Sequence, residues 1–218
     1  MQRQTFLRWM LQASLVGGLA GGPAVAWSAA YVDFFRAVKI DYPGEVLRLV
    51  QKGFDPNAIS EDGQPALLLA LREESEKVVE VLVAMPQVNI EVRNEAGETP
   101  LMMAALKGNT VAMKQLIARG AQVQHPGWAP LHYAATQGGM EGIELLLAHG
   151  ANLEARSPNG TTPLMMAARY GSEEATLLLL RRGASREVRN DKGLTAVDFA
   201  RLAQRPDLAR EIEQHRGR

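Results

Sequence analysis

Thr162-Pro163-Leu164-Met165-Met166-Ala167-Ala168 repeats, residue for residue, the stretch Thr99-Pro100-Leu101-Met102-Met103-Ala104-Ala105. Between them, Ala129-Pro130-Leu131-His132-Tyr133-Ala134-Ala135 is the same phrase with three substitutions. A phrase returning about every 33 residues marks a stack of like units, none able to bury its apolar face alone. Aligned on the Pro position, the chain gives Ala66, Pro100, Pro130, Pro163 and Ala196, in steps of 34, 30, 33 and 33 residues. The long step holds one extra residue around Ala84–Val88. The short one lacks three residues at Gln122–Gly127 relative to Asn152–Gly160. Length changes therefore fall in the connections between helix pairs, where loops tolerate them.

Each unit reads as helix, turn, helix and extended finger. Thr99 caps a helix whose first residue, Pro100, needs no N–H partner there and has its φ preset. Leu101, Ala104 and Ala105 give that helix a short apolar face of little bulk. Gly108, Gly138-Gly139 and Gly171 are expected to break the first helix at corresponding points. The second helix carries apolar spacing at Val111, Leu116 and Ile117, at Ile143, Leu146 and Leu147, and at Ala175, Leu178 and Leu179. Gly120, Gly150 and Gly183 stop it where a left-handed residue is needed, with Arg119, His149 and Arg182 beside its negative end.

The Thr-Pro-Leu phrase, with Leu145-Leu146-Leu147-Ala148-His149-Gly150-Ala151-Asn152 as its second half, resembles the ankyrin repeat over about residues 31–218. The resemblance implies an all-α repeat solenoid of stacked helix-turn-helix units with short β-hairpin-like fingers. The register divides it into an N-terminal cap over 31–58, inner repeats over 59–91, 92–122, 123–154 and 155–187, and a C-terminal cap over 188–218. The caps show more polar outer faces, as terminal repeats require.

Residues 1–30 read differently. Arg3 and Arg8 with no acid, then an apolar run interrupted by glycines and Pro23, then two small-x-small sites ending at Ala26 and Ala30, make a signal peptide. An uncleaved anchor is the alternative. Arg3-Gln4-Thr5-Phe6-Leu7-Arg8 looks like a twin-arginine motif that has lost its second arginine, so that route and the general one both stay open. The expected location is periplasmic or secreted. The chain has no cysteine, which removes a lipid-anchored precursor and any disulfide.

Removal of residues 1–30 leaves 22 basic against 24 acidic residues. With no basic excess, nucleic acid is not the expected partner. No phosphate loop, nucleophile elbow or His-Glu-x-x-His pair appears. No catalytic residue, metal or cofactor is therefore assigned. His132 occupies the place where the resemblance implies a hydrogen bond to neighbouring backbone. Met102, His132 and Met165 align as a ladder whose soft donors could hold a cuprous ion, but Leu68 at the same position favours packing.

What remains is a surface. The resemblance implies that partners meet the concave face, made of finger tips and the exposed side of each first helix. Carried over unit by unit, the candidates are Arg72 and Glu73, then Glu98, Leu106 and Lys107, then Trp128, Thr136 and Gln137, then Arg169 and Tyr170. Glu61, Asp62, Gln64, Glu95, Asn159 and Thr161 complete the face, and the acidic fingers hint at a basic epitope. Trp128 stands where its neighbours have Glu98 and Thr161. Either it anchors a partner or it folds down over the gap of three missing residues. The expected function is a monomeric, non-enzymatic protein-binding module, or else a dedicated accessory or immunity-type factor for one partner enzyme.

Overall fold

The computed structural model describes residues 23–215, with side chains from Ala29 onward. The export signal expected over residues 1–30 lies largely outside the described residues. Twelve helices and no strand occur among those described. They are α1 (Pro23–Lys39), α2 (Pro43–Gln51), α3 (Ala66–Arg72), α4 (Glu76–Ala84), α5 (Pro100–Leu106), α6 (Thr110–Ala118), α7 (Pro130–Gln137), α8 (Met140–Ala148), α9 (Pro163–Tyr170), α10 (Glu173–Arg181), α11 (Ala196–Leu202) and α12 (Pro206–Gln214).

Odd-numbered helices stack on one another in one layer, even-numbered helices in a second, and each pair closes antiparallel through a short turn. The helices α3, α5, α7, α9 and α11 begin at the five positions read from the repeated phrase. One core runs through the stack. Leu101, Leu116, Leu131, Ile143 and Leu146 are essentially inaccessible, and a Phe34-Phe35-Phe54 cluster fills its N-terminal end. Inner-layer neighbours touch through Ala104, Ala105, Ala134, Ala135, Ala167 and Ala168, all buried, so small side chains set the close approach.

The fingers are pared down to turns. In four of them the residue four places before the Pro−2 position donates at its N–H and accepts at its C=O, as where Ser157 N donates to Thr161 O at 3.0 Å and Gly160 N to Ser157 O at 2.8 Å. Ser60, Asn94 and Asn190 do the same, and among the described residues one β-bridge pairs Ile59 with Pro65.

One local expectation fails for a physical reason, and two residues that hold their expected places do more than expected. Val111 is 64% exposed, and α6 instead buries Ala112, Met113 and Leu116, one position round the helix. Gly171 ends α9 as expected, with an ordinary φ of −81°. Its lack of a side chain serves packing, because a Cβ there would lie 2.3 Å from Ala135 O. At the corresponding turns Glu74 and Gln204 accept positive φ values of 58° and 57° without being glycine. Arg119 caps the end of its own helix, as expected, and its guanidinium reaches further. It donates to Val83 O at 2.8 Å and Val88 O at 3.1 Å in the preceding unit, and so ties two units together.

Candidate protein-binding face

The start of each inner helix shows how the repeated phrase works. An Ncap N–H lies inside the stack and needs an acceptor. In α7, Ala129 N donates to His132 Nδ1 at 3.1 Å, and in α11 Thr195 N donates to Asp198 Oδ2 at 2.8 Å. Met102 and Met165 take that role with sulfur. Thr99 N and Thr162 N each donate to the thioether at 3.4 Å, while the threonine Oγ1 accepts from the methionine N–H. The Ncap of α3 is Pro65, which has no N–H, and its third helical residue is accordingly the apolar Leu68. The ladder weighed for cuprous ion is thus a row of helix caps with its donors occupied.

His132 is fixed in one tautomer. Nδ1 accepts from Ala129, so Nε2 carries the proton and donates to Thr161 O at 3.0 Å in the next unit. Burial holds its pKa below the ordinary imidazole value, against the opposing effect of the backbone bonds. The native state then takes up the proton less readily than the unfolded chain. The His132 contribution is intact above about pH 6.5 and is lost as pH falls below it toward the native pKa. Urea midpoints should therefore drop on acidification through this window. His132→Met, which copies the two flanking units, should flatten that drop. An unchanged pH slope in the variant would show that His132 is not the group responsible.

The candidate face changes character along the stack. At its N-terminal end, charges satisfy one another. Arg72 donates to Asp62 and to Glu73, each at 3.1 Å, and Lys107 Nζ donates to Glu74 Oε1 at 2.8 Å. The Ser60 hydroxyl, then Arg72, hold the Asp62 carboxyl below the usual carboxylate range. Glu98 accepts from Asn94 Nδ2 at 2.7 Å and pairs with the Tyr133 hydroxyl, whose pKa is pushed up by burial first and by Glu98 second. The acidic fingers are therefore partly engaged within the chain.

The C-terminal half carries aromatic side chains, with Tyr133 held by Glu98 and Arg201 paired with Asp198 and Glu213. Trp128 is half-buried, edge-on to His132 at 5.2 Å and to Tyr133 at 6.5 Å between ring centres. Arg169 lies over Tyr170 at 5.2 Å and reaches Phe199 at 5.9 Å, while Tyr170 is 57% exposed. Leu106 is half-buried, Thr136 donates its hydroxyl to His132 O at 2.8 Å, and Gln137 is exposed beside Gly108.

Two expectations need correction. Thr161 is only 2% exposed, because its backbone receives His132, so the finger position occupied by Trp128 is not regularly an exposed one. Nor does Trp128 fold over the gap below its finger, because it rests on α7 and the cleft left by the missing residues stays open beside it. The sequence reading also missed Tyr133, Met166 and Leu202. The first two sit at the third place after the Pro position and are half-buried, and Leu202 is 56% exposed on the last inner helix. The register could have found Leu202, which aligns with Leu106, whereas Tyr133 and Met166 align with the buried Leu69 and Met103 and gave no such signal.

Paired helices, finger turns and an inner helix row with a surface of mixed charge and aromatic character define a repeat protein built for contact with another macromolecule. The family model of ankyrin repeats (three copies) matches residues 34–125, 85–157 and 131–215, and the chain belongs to that family. Ankyrin repeats are protein–protein interaction modules, and the chain is one of them. It is similar, at 30% identity and a TM-score of 0.72, to a chain in the solved complex of the predatory endopeptidase Bd0816 from Bdellovibrio bacteriovorus with immunity protein Bd3460. That similarity covers 84% of this chain and 98% of the other. No described helix is long and apolar enough to cross a membrane.

Proposed function

We propose that the protein is a non-enzymatic binding partner that acts outside the cytoplasm and holds one protein on its concave inner face. The observation that carries this is the aromatic C-terminal half of that face, where Trp128, Arg169, Tyr170 and Leu202 line consecutive units with no acid pairing them. Rigid presentation limits the entropy lost on binding, and aromatic and arginine side chains are those that carry most interface energy. The second reading, a dedicated factor that binds and protects or inhibits one enzyme, is favoured by the similarity to a chain from an endopeptidase–immunity protein complex.

Export is proposed on the basic start, the interrupted apolar run and the two small-x-small sites. Tyr31 donates its hydroxyl to Ile59 O at 2.9 Å and its ring lies 4.8 Å from that of Phe35, so cleavage after Ala30 would keep this anchored tyrosine in place. Burial, then Glu61 and Asp62, push the Tyr31 pKa up to about 12, which keeps that donor protonated.

One experiment addresses both parts. The full chain is expressed in its own cell and recovered from the cell envelope. Intact mass should give a start at Trp27 or Tyr31, and the co-purifying protein should be lost when the Tyr170→Ala variant is used. Addition of purified protein to that partner should lower any peptidase activity it has if the dedicated-inhibitor reading holds. A full-length cytosolic product would defeat the export claim. A partner equally retained by Tyr170→Ala would move binding off this face.

A further inference from the structure

Three connections carry the same small device. A side-chain oxygen reaches across to the backbone N–H that opens the next connection. Asn57 Oδ1 accepts from Asn89 N at 2.7 Å, Glu91 Oε1 from Gln122 N at 2.9 Å, and Glu154 Oε1 from Ser185 N at 2.6 Å. The register puts Gln124 at the same place, two residues after Gln122, as Glu91 follows Asn89 and Glu154 follows Asn152. Gln124 does not close its rung. Its Nε2 donates instead to Gly150 O at 2.6 Å, which leaves the Asn152 N–H without the side-chain acceptor its counterparts have.

The defect coincides with the connection that is three residues short. An open-sided cleft of about 200 Å³ lies there, lined by Gln124, His125, Asn152 and Arg156 over Leu131 and Ala155. Its charged rim is basic. Arg156 donates one N–H to Arg189 O at 2.7 Å, its guanidinium and the Asp191 carboxylate both lie against Gly160, and His125 accepts from the Arg93 guanidinium. The nearest acid on the same connection, Glu154, is turned away to Ser185 N. An exposed N–H without an acceptor in the chain, near Arg156, in a concave space of side-chain size, favours a carboxylate over an amide by its charge and disfavours a cation.

We propose that this cleft takes an aspartate or glutamate side chain of the protein partner. Its carboxylate accepts from Asn152 N–H, faces Arg156, and fills the rung that Glu91 and Glu154 fill from within the chain. The proposal rests on the partner-binding reading above and adds an acidic anchor to the aromatic one.

The test is an amide NMR titration of the full chain with N-acetylglutamate N-methylamide, and with its glutamine analogue as the uncharged control. The Asn152 amide should move saturably with the first probe and at least tenfold more weakly with the second. Arg156→Gln should raise the dissociation constant at least threefold. Gln124→Glu, which supplies the carboxylate from inside, should abolish the response with the spectrum otherwise native. Equal responses to both probes, no movement at Asn152, or undiminished binding in Gln124→Glu would overturn the proposal. If the cleft fails while Tyr170→Ala still weakens partner binding, the acidic anchor is withdrawn and the binding face stands. If both fail, the face is withdrawn with it.

Discussion

Gly171→Ala is expected to destabilise the stack by about 3 kcal/mol or more, although it adds a single methyl group and the native φ of −81° suits alanine. The added Cβ would sit 2.3 Å from Ala135 O and 3.0 Å from Ala167 Cα, and both obstacles are backbone. No rotamer change can relieve such a contact, so α7 and α9 must separate. That separation would loosen the alanine contacts between them and disturb the Arg205 guanidinium, which donates to Gly171 O at 2.9 Å and Ala168 O at 3.1 Å from the following unit. Ordinary surface substitutions cost within about 0.5 kcal/mol, so urea denaturation separates the outcomes readily. A midpoint within error of wild type would mean that the two helices are not in contact at this point.

Leu146→Ala should cost ~2–5 kcal/mol, since the side chain is completely buried on α8 and its removal leaves a cavity that rigid neighbouring helices fill only in part. In a stack, each unit gains its stability from its interfaces with its neighbours. Loss in a middle unit is therefore expected to uncouple the two halves, and unfolding monitored by circular dichroism should broaden as well as shift. A shift below about 0.5 kcal/mol would place Leu146 on the surface and break the register.

Most of the architecture was legible because the repeated phrase encodes a local event, the start of an inner helix, and its spacing encodes the stack. The structure has helices at Ala66, Pro100, Pro130, Pro163 and Ala196, as the phrase requires. The site was less legible, since a residue's type does not say which of its atoms are already engaged. Arg72 and Lys107 read as free cations and prove to be paired with Asp62, Glu73 and Glu74. Thr161 reads as a finger tip and is buried because its carbonyl accepts from His132. Met102 and Met165 read as plain hydrophobes or soft ligands, whereas their sulfurs accept Ncap N–H groups. Val111 failed for a different reason. On a nine-residue helix a shift of one position turns the apolar face by about 100°, enough to expose Val111 while Leu116 stays buried, and short apolar runs do not fix the phase.

The central claim is that the aromatic half of the inner face carries partner binding. Calorimetric titration of the captured partner against Trp128→Ala and Tyr170→Ala, with Val111→Ala on the outer layer as control, measures it directly. Each inner-face variant should keep its thermal midpoint near wild type and lose ~2 kcal/mol or more of binding, about thirtyfold in dissociation constant. Val111→Ala should bind as wild type. Trp128 is half-buried in the free protein, so its emission should also shift to shorter wavelength on binding. Wild-type affinity in both inner-face variants, or a loss confined to Val111→Ala, would contradict the account.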